Sequence, residues 1–166
     1  REKHPDEAEL QAIAEKVGVG AIVFYYLSNN RMRDINFMME DALSFDGNTG
    51  PYAQYTYART CSVLEKAGDT ECADLAITAN EESELLKTLA KFPEKVKSAL
   101  DAYEPSIVTR YILDVAAAFN RFYHNCPILS SEDADVRATR VAITRATSIV
   151  LGNAFPLICL KTMEKM

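Results

Sequence analysis

Thr49-Gly50-Pro51-Tyr52-Ala53-Gln54-Tyr55-Thr56-Tyr57-Ala58-Arg59 is the stretch whose reading decides the fold. Pro51 has the φ angle of a first helical residue, and the amide it lacks would have no partner there anyway. Thr49 or Asn48, just upstream, offers a side-chain oxygen to cap the exposed backbone amides. A helix therefore opens at Pro51, runs through Tyr52 to about Ala67, and stops at Gly68. Tyr52, Tyr55 and Arg59 stand at i, i+3 and i+7, so they line one stripe of that helix, while Gln54 and Ala58 point elsewhere.

Downstream, Gly68 to Ala76 is a loop. Helical patterns then run from about Asn80 to Lys91, Pro93 to Tyr103, Pro105 to about Asn125, and Ser131 to about Leu151. Glu81-Glu82 and Glu132-Asp133 sit at helix beginnings, where the macrodipole favours acids. Upstream, Ser28 to Thr49 has no clear period, and Asn29-Asn30, Asp34 and Asp46-Gly47-Asn48 mark it as a loop carrying exposed polar groups. Before it, Pro5-Asp6-Glu7-Ala8 opens a short amphipathic helix with Ala8, Ile13, Ala14 and Val17 as apolar positions up to Gly18. The apolar and aromatic run Val19 to Leu27 continues it as buried helix. Strand-like alternation is absent and the connections are short, so the pattern predicts an all-α bundle of antiparallel helices.

The totals agree. A chain of 166 residues, 48% hydrophobic and 25% charged, with six Gly and six Pro, suits one ordered domain with a real core. No run approaches eighteen uninterrupted apolar residues, so no membrane span is expected. Arg1-Glu2-Lys3-His4-Pro5-Asp6 has neither a signal-peptide apolar region nor an initiator Met, and reads as a boundary inside a longer protein. Cys61, Cys72, Cys126 and Cys159 are too widely spaced for a zinc site or a small disulfide scaffold, which leaves reduced structural thiols in a cytosolic protein. The net charge of −6 disfavours gripping nucleic acid by bulk electrostatics, so any RNA contact must be local and matched in shape.

No paired carboxylates, metal-ligand spacing, Ser/His/Asp set or phosphate loop emerges. Gly18-Val19-Gly20 lacks the third glycine and the preceding strand of a dinucleotide fingerprint and fits a helix junction better. The Tyr52, Tyr55, Arg59 stripe leaves two readings open on spacing alone. Aromatic rings and a guanidinium can stack single-stranded bases and donate to base edges or phosphates. The same residues can equally be half-buried packing groups, with Arg59 paired to an acid.

Ser44-Phe45-Asp46-Gly47-Asn48-Thr49-Gly50-Pro51-Tyr52-Ala53-Gln54-Tyr55, ending in Ala58-Arg59, closely resembles the Gly-Asn-Thr-Gly-Pro-Tyr-x-Gln-Tyr-x-x-Ala-Arg signature of arginyl-tRNA synthetases. Glu15-Lys16-Val17-Gly18-Val19-Gly20-Ala21-Ile22 looks like the helix that follows their catalytic core. Glu104-Pro105 through Arg110-Tyr111, then Ala118-Phe119-Asn120-Arg121-Phe122-Tyr123, is similar to the core of their DALR anticodon-binding domain. Glu164-Lys165-Met166 matches the family's usual ending.

The resemblance implies an all-α bundle, the anticodon-binding domain of class I aminoacyl-tRNA synthetases, occupying 1–166, with 1–45 the connection from an absent catalytic domain. It implies binding of the anticodon arm of arginine tRNA within arginine–tRNA ligase, a cytoplasmic enzyme whose separate Rossmann domain joins arginine to its tRNA using ATP and Mg. Carried over by position, Tyr52, Gln54, Tyr55 and Arg59 face the RNA, with Arg110 and Tyr123 on the other wall and Met166 near the anticodon loop. Asn120 and Arg121 also match motif positions, serving either RNA or core hydrogen bonding. The partners implied are arginine tRNA and the catalytic domain of the same chain, with no membrane and no DNA. No cofactor or metal is expected in these residues. The adenylate motifs of the His-Ile-Gly-His and Lys-Met-Ser-Lys types are missing, so these residues are expected to be inactive alone.

The sequence departs from the family at Met38-Met39, at Pro156, which should interrupt the last helix, and at Thr162-Met163. The other reading is a stand-alone helical protein-interaction module derived from a synthetase.

Overall fold

A computed structural model describes residues 7–45, 47–72 and 74–165, all but the side chain of Glu9. The expectations for Pro5-Asp6, Asp46 and Met166 lie outside the described residues. Those residues hold helices α1 (Glu7–Leu27), α2 (Met39–Leu43), α3 (Gly50–Ala67), α4 (Asn80–Ala90), α5 (Phe92–Ala102), α6 (Ser106–Asn125) and α7 (Ala134–Leu157), and no strand.

α6 is the hub, packing against α1, α3, α4, α5 and α7. Its buried Val108, Ile112, Val115, Phe119 and Phe122 recur at alternating steps of four and three, which keeps them on one stripe of a helix. Phe24 of α1, Leu85 of α4 and Leu151 and Phe155 of α7 complete the core around them. Removing a side chain of this size, as in Phe119→Ala, costs about 3–5 kcal/mol because a cavity remains.

The α1–α3 junction explains the small residues of the signature stretch. A Cβ on Gly50 would lie 2.9 Å from the Gly20 carbonyl oxygen and 2.9 Å from Phe24 Cβ, so only glycine allows the approach. Thr49 is the N-cap of α3, accepting from the Tyr52 amide at 3.2 Å, and Gly68, at φ 60°, closes the other end.

α1 runs through Gly18 and Gly20 as one helix, as expected, but the run Val19 to Leu27 is not wholly buried: Ala21 and Phe24 are inside, whereas Val19, Ile22 and Tyr26 face outward. Its segment Leu10–Leu27, with mean hydropathy 1.3, is long and apolar enough by length and composition to cross a bilayer, although polar residues interrupt its apolar run. Met39–Leu43 forms a short helix inside the expected loop. α7 starts at Ala134, capped by Asp133, and continues past Pro156, because the backbone bond that proline removes falls in the last turn.

That last turn closes tightly. The Cys159 amide donates to the Pro156 carbonyl and the Leu160 amide to that of Phe155, with Cys159 at φ 57°. This is a Schellman closure built without glycine, and Tyr103 after α5 makes the same turn at φ 50°.

Candidate nucleic-acid interface

The site is assembled where α3 crosses α6. Thr56 and Tyr52 face α6 from one side of α3, Asn120 answers from α6, and Tyr55, Arg59 and Tyr123 rim the seam. The Arg59 guanidinium carbon lies 4.8 Å from the centroid of the Tyr55 ring and 4.8 Å from that of Tyr123. Both distances are within cation–π range, so each ring attracts the charge and holds it in place. Tyr55 is 42% exposed and Tyr123 39%, so two aromatic rings and a cation share one solvent-facing patch.

Beneath the patch lies a hydrogen-bond network. Arg59 Nη1 donates to Asn120 Oδ1 at 2.6 Å. Asn120 Nδ2 donates to the Tyr52 hydroxyl at 2.9 Å and to Thr56 Oγ1 at 3.1 Å. The fully buried Thr56 hydroxyl donates to the Tyr52 carbonyl at 3.0 Å. Among the described residues no carboxylate comes within ion-pair distance of Arg59. The reading that pairs Arg59 with an acid is therefore not met, and its positive charge stays uncompensated.

The other sequence-derived residues fall elsewhere. Gln54 is corrected from a surface contact to an interior one. It is 0% exposed, and its Nε2 donates to the Lys161 carbonyl at 3.0 Å, pinning the chain after α7 against α3. Its Oε1 is buried without a hydrogen-bond partner among the described residues, close to Gly20, where a Cβ would approach that oxygen to 3.2 Å. Arg110 is exposed near the start of α6, about 20 Å along the axis from Tyr123 at 1.5 Å per residue, and does not join the cluster. Arg121 turns toward α4, where it lines a shallow cleft with Asn80, Glu81 and Glu84.

Two features escaped the sequence reading. The Asn120 and Thr56 bridge is one, since nothing local in the sequence announces a pairing across 64 positions. The other is a buried ion pair. Arg140 Nε donates to Glu82 Oε1 at 2.6 Å, Nη1 to the Pro127 carbonyl and Nη2 to Thr78 Oγ1. Glu82 Oε2 accepts from the amides of Thr78 and Ala79 ahead of α4. Burial acts to raise the Glu82 pKa, but the hydrogen bonds from Arg140, Ala79 and Thr78, together with the Arg140 charge, outweigh it and hold the carboxyl below its ordinary value.

The cysteines are all unpaired, and burial pushes the Cys126 thiol pKa up. Among the described residues no three or more His, Cys, Asp or Glu side chains cluster in a way that could hold a metal ion.

Against this geometry, the sequence profile of the DALR anticodon binding domain matches residues 53–166, which takes in most of α3 and everything after it. The chain belongs to the DALR anticodon-binding domain family. The DALR chain is 47% identical over 167 residues to the arginine–tRNA ligase of Clostridium botulinum strain 657 and 45% identical over 169 residues to that of Clostridium perfringens strain 13. Each match covers 99% of the chain, which spans about 30% of the length of either relative. Among solved structures, the arginyl-tRNA synthetase of Thermus thermophilus superposes with TM-score 0.91 at 32% identity, over 99% of this chain and 28% of that one. The Plasmodium falciparum arginyl-tRNA synthetase gives 0.84 at 26% identity, over 95% and 28%. The DALR fold is thus an all-α bundle shared with synthetases, and the Tyr55, Arg59 and Tyr123 patch lies within the matched residues.

Proposed function

We propose that this chain binds the anticodon arm of an arginine tRNA as part of an arginine–tRNA ligase. The observation that carries this is the uncompensated Arg59 between two exposed tyrosines on a DALR domain. Unpaired bases of an RNA loop stack on aromatic rings, and a guanidinium meets phosphate or base-edge acceptors. Such a patch needs no basic surface, which fits a net charge of −6. Tyr52 contributes a hydroxyl at the edge of the seam, Arg110 is a secondary contact along the arm, and Met166 is one near the anticodon loop.

In this reading the catalytic steps, with ATP and Mg, belong to the remaining length of the ligase, and the protein works in the cytoplasm. The outward Val19, Ile22 and Tyr26 of α1, with Met38, Met39, Leu43 and Phe45 around α2, form the apolar face that packs on the rest of that ligase. The same face is what a stand-alone interaction module would offer a protein partner.

Labelled arginine tRNA titrated at low and physiological salt, beside a non-cognate tRNA of similar size, tests the reading. Cognate preference with a shallow salt dependence is expected. Equal or absent binding by the folded protein would favour the interaction module.

A further inference from the structure

We propose that Asn120 is a positioning residue of the RNA site, and that its being a neutral amide is what orders Arg59 while leaving its charge uncompensated. The proposal rests on the assignment of Arg59 and Tyr52 to RNA binding. Half-buried Asn120 holds three α3 side chains at once, accepting from Arg59 and donating to Tyr52 and Thr56.

The proton inventory gives each contact a direction. Thr56 has spent its proton on the Tyr52 carbonyl, so its oxygen must accept from Asn120. The Tyr52 hydroxyl also accepts from Asn120, which leaves its own proton free for a partner. Arg59 gives Asn120 a single N–H, so the other donors of its fork and the whole of its charge remain for a ligand. The underside of the site thus presents donors and a net positive charge, suited to acceptor groups of RNA: phosphate oxygens, carbonyls and ring nitrogens.

A carboxylate at the same position would hold Arg59 at least as firmly but cancel its charge. It would also turn the Tyr52 proton inward, because a carboxylate cannot donate. Positional order and available charge are therefore separable by substitution. Asn120→Asp keeps the first and removes the second, whereas Asn120→Ala removes the anchor and keeps the charge.

The test measures arginine tRNA affinity and its salt dependence for both variants and for Arg59→Ala in the full-length protein, with thermal melts to confirm folding. Asn120→Asp is expected to weaken binding roughly tenfold and to make the slope of log affinity against log salt shallower by about one phosphate contact, as Arg59→Ala does. Asn120→Ala is expected to weaken binding several-fold with the slope retained. If both Asn120 variants bind as wild type while Arg59→Ala is impaired, the proposal is overturned and Asn120 is an interhelical tie only. If Arg59→Ala also binds normally, the assignment of the site itself fails. Should Asn120→Asp not fold, the affinity of folded Asn120→Ala decides alone: a loss supports the proposal and wild-type binding overturns it.

Discussion

Arg140 and Arg59 are each held across a helix interface, and their anchors differ in charge. Arg140 of α7 meets the carboxylate of Glu82 on α4 in the interior, where Glu82 is 0% exposed. Arg59 of α3 meets the neutral amide of Asn120 on α6 at a half-exposed seam. The buried pair cancels its own charge and has every strong group satisfied by Thr78, Ala79 and Pro127, so nothing is left for a ligand. The exposed pair leaves a whole positive charge facing outward between two rings. Arg140, tied to an acid, holds α4 to α7, whereas Arg59, tied to an amide, keeps an uncompensated charge.

The comparison breaks most visibly at the buried end. Glu82→Gln should destabilise the fold by about 3–5 kcal/mol, since it strands the Arg140 charge away from water. Urea unfolding will measure the loss, and tRNA affinity of the remaining folded protein should be unchanged. The same pair predicts an acid limit. The Glu82 pKa is lower in the folded chain than its unfolded value of about 4.5, so its stabilising contribution is complete above that pH and is lost as pH falls through the depressed folded value. The urea midpoint of the wild type should therefore drop more steeply than that of Glu82→Gln below about pH 4.5. Parallel pH curves would show that the pair contributes little.

At the exposed end the effects move from stability to affinity. Arg59→Ala should weaken tRNA binding by about 1–3 kcal/mol while shifting the unfolding midpoint little. An altered melt with unaltered binding would place Arg59 with Arg140 as a structural group. Tyr55→Phe should bind within about twofold of wild type, because the ring that faces Arg59 is retained, whereas Tyr55→Ala should bind less tightly by about 1–3 kcal/mol. Loss on Phe would move the role to the hydroxyl.

The smallest effect belongs to Gln54. Replacing it with leucine removes the bond to Lys161 but also the partnerless buried Oε1, and the two nearly offset, so stability should change by less than about 1.5 kcal/mol. Faster hydrogen exchange at Leu160 and Met163 would show the chain after α7 loosening.

Much of the helical plan was legible because helix ends are local chemistry. Pro51 with Thr49, Gly68, Pro93 and Pro105 announce boundaries within a residue or two of where they fall. What escaped has physical reasons as well. The apolar run Val19 to Leu27 read as buried, but only one face of α1 is covered, where Leu160 and Gln54 pack closely on Gly20, and Val19, Ile22 and Tyr26 stay outside. Cys159 and Tyr103 close helices in the left-handed conformation without the glycine that would have flagged them.

The candidate site divides along the same line. Spacing alone put Tyr52, Tyr55 and Arg59 on one stripe, since the helical period is a property of the chain itself. Only the tertiary structure separated them. It half-buried Tyr52 against Asn120, left Tyr55 open, sent Gln54 inside and brought Tyr123 from α6 to share the Arg59 charge. Local sequence determines which residues share a helix face and where the helix starts and stops. Whether that face meets water, a carboxylate or an amide depends on groups distant in the chain, which only packing brings within hydrogen-bonding distance.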